Sequence, residues 1–528
     1  MRYARWLVFL CVAALACGKT GFSQAAIYYV APTGGDDAND GSIDSPFATI
    51  PTAIAAVATG DTIFLRGGTF NIDTKIRVES KSGADGNPIK LWAYPGEQPV
   101  LDFAGQAYSN SNRGVELASS ADWWHLKGLT IQNAGDNGLN TGGDHGVFEQ
   151  IVTRYNRDSG FQLGGSASFN LVLNCDSHEN YDPQTGLSSP RRGENADGFA
   201  VKSDTIGPGN IFRGDRAWRN SDDGWDMFES RANGVLIENS WAYENGTDLA
   251  PDDPRPFGGD ANGFKLGHDS GAHVLVRVAA WNHSNIGIDV NGNGYIYNGS
   301  TPIEPNGNTV KVINSTSYNN SGNYLFDEEL PHVLRNNVSF EGHDLFAANV
   351  AQQLNTWNNI PVNEGDFITL DDARSRGPRR ADGSLPLSDF LRLELDSNLV
   401  DAGTPLNYAF AGKSYVLQYE GVGPDLGAFE AGSVLPVLPG DYNGDHLVDA
   451  ADYTVWRNMV GQSGDGLAAD GNGDDEVDDE DYLIWKENFG ASPGSGSTAV
   501  SVLVPEPAGW LLVAMALVTL VVRRSSAR

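Results

Sequence analysis

The chain is 528 residues long and carries 35 Lys and Arg against 68 Asp and Glu, a formal net charge of −33. Such a charge excludes nucleic acid and anionic membrane surfaces as natural partners and favours divalent cations, which a polyanionic substrate would need as bridges. With 63 glycines and no long helical heptads, the composition indicates a turn-rich β architecture, and the length suits more than one domain.

In chain order, Arg2 and Arg5 supply a positive start, Trp6 to Ala16 an apolar run, and Ser23-Gln24-Ala25 a small-residue cleavage site. Residues 1–25 are therefore expected to be a signal peptide cut near Ala25. Cys17 offers a lipoprotein start instead, although Ala14-Leu15-Ala16 before it makes a weak lipobox. After cleavage only Cys175 remains of three cysteines, so no internal disulfide is expected and stability must come from core burial and metals.

Residues 26–432 are expected to form one domain. The stretch IPTAIAAVATGDTIFL, from Ile50 to Leu65, predicts a short amphipathic helix and then a strand, capping an open edge. Beyond it the pattern Gly-apolar-x-apolar recurs: GVEL at 114, GLNT at 138, GFQL at 160, GFAV at 198, GWDM at 224, GFKL at 263 and GIDV at 287, with NYLF at 323 a degenerate copy. A second column runs Asn133, Asn156, Asn180, Asn220, Asn245, His283 and Asn320. Short strands at a period a little over 20 residues, with no helices between, predict a parallel β-solenoid whose coils bury their apolar faces by stacking. The Asn column fits a ladder of side-chain amides within the turns. Longer spacings before residues 197 and 262 mark loops inserted in single coils, the usual place for a binding groove. Arg191, Arg192 and Arg255 lie in those loops, either as anchors for substrate carboxylates or as solvated positions. His145, in GGDHG, reads as a turn residue.

Aligned on the repeat glycine, the first and third following residues point inward and the second points out. The outward column is Gln162, Ala200, Asp226, Lys265 and Asp289, and the residue before Gly is Asp197, Asp223 and Asn262. With coils about 4.8 Å apart, Asp197, Asp222, Asp223 and Asp226 converge, and Lys265 lies one coil beyond Asp226. Four such charges require a cation, and a hard ion such as Ca²⁺ suits them.

The segments NADGFAVK, NSDDGWDMFES and NGFKLG, in this order and spacing, resemble family 9 of the polysaccharide lyases, the β-helical pectate lyases, and the resemblance extends from YYVAPTGGDDANDGS to LRLELDSNLVDAG and GPDLGAFE. It implies an all-β, right-handed parallel β-helix that cleaves (1→4)-linked uronan by β-elimination. It also implies a catalytic Ca²⁺ held by Asp197, Asp222, Asp223 and Asp226, with Lys265 as the base. The chemistry is coherent on its own terms. The C5 proton of a uronate is too weak an acid for an unaided base, and a cation bridging protein and substrate carboxylates would stabilise the developing charge. Two rivals stand beside it: a solenoid glycoside hydrolase using Asp222 and Asp223 to activate water, and a non-catalytic adhesin that binds uronan. The Gly-His-Gly and Arg-x-Lys motifs of polygalacturonases are absent.

A Pro/Gly linker at 433–440 leads to a duplicated unit at 441–490, DYNGDHLVDAADYTVWRNMVG and DGNGDDEVDDEDYLIWKENFG. Oxygen-bearing residues fall at loop positions 1, 3, 5, 9 and 12: Asp441, Asn443, Asp445, Asp449 and Asp452, then Asp470, Asn472, Asp474, Asp478 and Asp481. That spacing wraps oxygens around Ca²⁺ and starts a helix at its end. Two such loops, one helix each, closely resemble a type I dockerin, which implies a cohesin-type partner. A second linker, 491–503, precedes 504–528, where Pro505-Glu506-Pro507, an apolar run and a basic tail resemble the PEP-CTERM sorting signal of Gram-negative bacteria; a plain single-span anchor is the alternative. The expected protein is a secreted or cell-surface monomer.

Overall fold

The structure is a computed structural model, and it describes residues 25–183, 191–268, 271–290, 295–298, 301–305, 307–326, 330–432, 438–443, 448–464, 467–472 and 474–490. The expected signal peptide, the linker and sorting segment beyond 490, and Asp445 lie outside the described residues.

Among the described residues the chain winds through three sheets of twelve, ten and ten strands, each built from successive coils paired in parallel. This is the expected parallel β-helix. The helix Ile50–Ala56 buries Ile50, Ala53 and Ile54 at the N-terminal end, and the strand Thr62–Leu65 follows it, as the amphipathic pattern predicts. The repeat glycines have a steric cause. A Cβ on Gly198 would sit 2.7 Å from the Gly224 carbonyl oxygen, one on Gly224 2.5 Å from that of Gly263, and one on Gly263 2.5 Å from that of Gly287. Coils approach too closely at this corner for any side chain. The apolar positions that flank them fill the interior, where Phe199, Trp225 and Phe264 stack with ring centroids 4.8 and 4.6 Å apart. A stack of large rings on adjacent rungs removes much apolar area from water and fixes the register of neighbouring coils.

The amide ladder runs from Asn156 through Asn180, Asn220 and Asn245, each Nδ2 donating to the next Oδ1 at 2.8–2.9 Å. It passes to His283, whose Nδ1 accepts from the Asn245 backbone at 3.2 Å, and then to Asn320. Asn133 is not a member. It adopts positive φ one residue ahead of the column and donates to Asp102, while Ala134 occupies the rung and its N–H reaches Asn156. A second ladder escaped the sequence pattern because its residue types differ from coil to coil. It links Cys175, Asp215 and Ser240 at another corner, and Ser315, Asn337 and Asn355 further along.

Residues beyond the last coil run back along the solenoid. They cover the stacked rings of Trp218, Tyr243, Trp281 and Tyr318 with Phe367, Phe390 and Leu393. The fastening is ionic at one point, where Asp176 accepts from Arg216 at 2.9 Å and from Arg379 of the returning segment at 2.7 Å. Burial works against the Asp176 carboxylate, but the two guanidiniums overcome it and lower its pKa to about 2.

Residues 438–490 form a separate small core around Tyr442, Val448, Val477 and Trp485. Its helices, Ala450–Met459 and Asp479–Asn488, each open on an Asp capping box, Asp449 with Asp452 and Asp478 with Asp481. The two halves exchange equivalent bonds: Trp456 Nε1 donates to the Asp478 carbonyl and Trp485 Nε1 to the Asp449 carbonyl, both at 2.7 Å.

Asn220→Ala removes the acceptor of the buried Asn180 N–H and Nδ2 and breaks the ladder to Asn245; it is expected to cost about 3 kcal/mol, whereas Asn133→Ala should cost less than about 1 kcal/mol. Urea denaturation of both variants checks the difference. Because the folded pKa of Asp176 lies below the ordinary aspartate value of 3.8, its contribution is present above about pH 4 and is lost as pH falls towards 2. Asp176→Asn should flatten that acid limb in a pH series of thermal midpoints.

Candidate active site

The strands Phe199–Val201, Trp225–Asp226 and Phe264–Lys265 lie side by side in one ten-stranded sheet. Their register pairs Ala200 with Asp226, Asp226 with Lys265, and Lys265 with Asp289. The outward column is therefore the one the repeat alignment implies. Asp197 and Asp223 sit just before the repeat glycines of adjacent coils, and the Asp223 backbone N–H donates to Asp197 Oδ1 at 3.3 Å.

The carboxylates form two groups that share Asp223. Oxygens of Asp197, Asp223 and Asp226 lie within 4.8 Å of one another, and so do those of Asp222, Asp223 and Asp260. Asp222 belongs to the second group and reaches the inserted loop, where its Oδ1 accepts from the Asp260 backbone N–H at 2.6 Å. Asp223 Oδ1 accepts from the Asn262 N–H at 2.8 Å. Its other oxygen is buried and makes no hydrogen bond, although the Lys265 ammonium stands 3.2 Å away without bonding geometry. An all-oxygen donor set on two coils, with one buried oxygen left open, fits a hard divalent cation.

Two lysines attend the cluster. Lys265 Nζ lies 2.7 Å from Asp260, 3.2 Å from Asp223 and 4.0 Å from Asp226. Lys202 Nζ lies 2.8 Å from Asp197 and 3.1 Å from Asp226. Burial pushes the Lys265 ammonium towards neutrality, but Asp223, Asp226, Asp222 and Asp260 outweigh it and hold it far above the ordinary lysine range. Lys202 is held protonated in the same way by Asp197, Asp226 and Asp158. Burial raises Asp197 to about 6 despite Lys202, and raises Asp222 and Asp223 well above the carboxylate range with help from neighbouring carboxylates. Asp226, also buried, is nevertheless lowered, because the Lys265 and Lys202 ammonium groups lie 4.0 and 3.1 Å from its oxygens.

Lys202 and Asp260 are the residues that sequence reasoning passed over. Lys202 stands in NADGFAVK, one position past the strand, where the in–out alternation no longer says which way a side chain turns. Asp260 ends an insertion with no counterpart in other coils, so no repeat alignment reaches it.

The inserted loops wall the site and are tied to each other rather than to solvent. Arg192 is almost fully buried, forks onto Asp248 and donates to the carbonyls of Arg255 and Asp253. Arg255 pairs with Asp253 and Arg191 with Glu194. Arg192 is thus a strut of the wall, Arg255 pairs within its own loop, and Arg191 is exposed beside Glu194. His145 adopts positive φ and stacks between Trp123 and Phe169, at 4.0 and 5.1 Å, in keeping with a turn role.

In the 441–490 unit, Asp449 and Asp478 cap their helices, while buried Asp452 and Asp481 accept from the backbone N–H groups of Asn443 and Gly471. Asp470 and Asn472 accept from the backbone of Asp474. Asp441 closes the turn at the start of the first loop through its N–H to Leu438.

A parallel β-helix that presents clustered buried carboxylates and a half-buried lysine on an outward sheet is suited to cleaving a polysaccharide laid across it. Residues 28–344 match the Pel9A-like right-handed beta helix family model, and residues 439–489 match the dockerin type I domain. The chain belongs to the Pel9A-like family, carries a type I dockerin, and is an enzyme of the polysaccharide lyase class, pectate lyase type. It is similar to Pectate lyase L of Dickeya dadantii (strain 3937), 36% identical over 78% of this chain and 92% of that protein. Among solved structures it is similar to pectate lyase Pel9A, with a TM-score of 0.67 and 35% identity over 78% of this chain and 98% of the other. It is also similar to a structure titled rhamnogalacturonan lyase, with a TM-score of 0.58 and 25% identity over 70% and 97%.

Arg192→Ala should free both loops at a cost of about 2 kcal/mol of local stability, with the solenoid core left intact. Limited proteolysis should then cut within 191–194 and 247–260 well before the wild type is nicked.

Proposed function

We propose that the chain is a Ca²⁺-dependent lyase acting on pectate or polygalacturonate, with Lys265 as the base. The observation that carries this reading is the register of Asp226 and Lys265 on neighbouring coils, beside a carboxylate set whose Asp223 Oδ2 is buried without a hydrogen bond. Asp197, Asp222, Asp223 and Asp226 would hold the cation. Bound there, Ca²⁺ supplies charge neutralisation at the substrate C6 carboxylate, which acidifies the adjacent C5–H. The loop walls braced by Arg192 confine the uronan over the outward column. Lys265 becomes neutral once its surrounding carboxylates are engaged elsewhere and desolvation is left to act on it. As the neutral amine it takes the C5 proton at Nζ. The C5–H electron pair forms the C4=C5 double bond, the C4–O4 bond breaks, and O4 takes up a proton as it departs. The products are a new reducing end and a 4,5-unsaturated uronide, with no oxidant needed.

We further propose that the loops at Asp441 to Asp452 and Asp470 to Asp481 bind Ca²⁺ and that the module docks on a cohesin-type partner. Secretion through residues 1–25 and surface sorting through 504–528, in a Gram-negative-type bacterium, complete the reading. Both segments lie outside the described residues.

The test is a polysaccharide panel of polygalacturonate, rhamnogalacturonan and neutral galactan, read at about 235 nm for the unsaturated product of proton abstraction, with Ca²⁺ and with chelator. Polygalacturonate with Ca²⁺ should give signal and chelator should abolish it. Lys265→Ala should lower the rate by at least about 10³-fold while leaving the thermal midpoint in Ca²⁺ unchanged. Reducing ends released without absorbance would make the protein a hydrolase instead.

A further inference from the structure

Three aromatic rungs stand in register on the outer face of the twelve-stranded sheet, near its N-terminal end. Tyr29 pairs with Phe64 and Phe64 with Trp92, and the next rung is Lys127. Tyr94 leans in from the end of the third strand, its ring 5.8 Å from Phe64 and 6.1 Å from Tyr29. All four rings are half-buried. On another sheet the outward rings of Trp218, Tyr243, Trp281 and Tyr318 lie under the returning C-terminal segment. Phe64, Trp92 and Tyr94 instead line an open groove of about 630 Å³, a volume that suits a short run of sugar rings. Gln98, Gln150 and Thr130 add hydrogen-bonding groups to its walls.

The charge of this patch departs from that of the chain. Arg66 lies 4.7 Å from the Tyr94 ring centre, and Lys90 and Lys127 lie 5.0 and 6.0 Å from the Trp92 ring. Arg66 is paired with Glu97 and Lys127 with Glu149, which holds both in place. Lys90 stands beside Trp92 with no ion pair among the described residues. A protein of net charge −33 thus gathers three cations, Arg66, Lys90 and Lys127, against the two carboxylates Glu97 and Glu149 around this aromatic groove, on a sheet other than the one that carries Asp226 and Lys265. The two are separated by four to five coils, about 20–24 Å at the coil spacing.

Flat rings present an apolar face to the C–H face of a pyranose, and a flanking ammonium meets a carboxylate on the same sugar. We infer that the Phe64–Trp92–Tyr94 groove is a second, non-catalytic binding site for an acidic polysaccharide, with uronate rings stacking on Trp92 and their carboxylates meeting Lys90 beside it. The choice of a uronan rests on the function proposed above. The site holds a long polymer while the distant centre acts on it, so its effect is avidity rather than turnover.

The experiment uses the full chain carrying Lys265→Ala, so that polymer is bound without being cut, and reads retardation in native gels containing polygalacturonate. Trp92→Ala, and separately Lys90→Ala, which leaves the Trp92 ring in place, should each weaken retardation about three- to tenfold. In the otherwise wild-type enzyme both should raise KM on long polygalacturonate and leave kcat on a short oligogalacturonide unchanged. Equal retardation with and without Trp92 and Lys90, or no retardation at all, overturns the site while leaving the lyase reading standing. Retardation that depends on Trp92, in a protein whose wild type yields no unsaturated product, supports the site and overturns the lyase reading. Equal loss of retardation by neutral galactan in Lys90→Ala would overturn the acidic assignment, and slow migration without polymer that Trp92→Ala cures would mean self-association instead.

Discussion

Everything at this site follows from the stacking of carboxylates at the spacing of neighbouring coils. Asp197, Asp223 and Asp226 are brought together because adjacent turns of a β-solenoid lie only a strand's width apart, and Asp222 follows in the same loop. Ionised in a buried place, such groups repel one another and lack water. Lys202 and Lys265 answer part of that charge. The strain that remains, in carboxyl groups pushed upward by burial and in an oxygen without a hydrogen bond, is the electrostatic feature on which the proposed cation site rests.

The surrounding scaffold is rigid where the site needs it. The glycine corner lets coils approach, the Trp225 and Phe264 rings fix the register beneath Asp226 and Lys265, and the amide ladder through Asn220 anchors the turn that carries Asp222 and Asp223. Each device is repeated from coil to coil, so chemistry needs only two or three altered outward positions on an otherwise uniform face. The walls come from two insertions locked to each other by Arg192, a residue type that would ordinarily be assigned to substrate.

Much of this was legible in one dimension. The period of the Gly-apolar-x-apolar unit fixes the solenoid, the alternation within it sorts Phe199, Trp225 and Phe264 inward and Asp226 and Lys265 outward, and the structure reproduces that register residue for residue. The limits were equally physical. Asn133 looked like a rung because Asn favours both ladder positions and left-handed turns, and only the backbone tells which it occupies. Cys175, Asp215 and Ser240 form a ladder through unlike side chains, so no residue column announces it.

Sequence alone determined the class of fold, the coil boundaries and the outward column that carries Asp226 and Lys265, because a periodic structure writes its period into the chain. Tertiary structure decided what the insertions do. It turned Asp222 towards Asp260, placed Lys202 between Asp197 and Asp226, buried Arg192 and left one aromatic face of the solenoid open. Those outcomes depend on where non-repeating loops and strand ends come to rest, and that is settled by long-range packing and charge balance rather than by any local pattern.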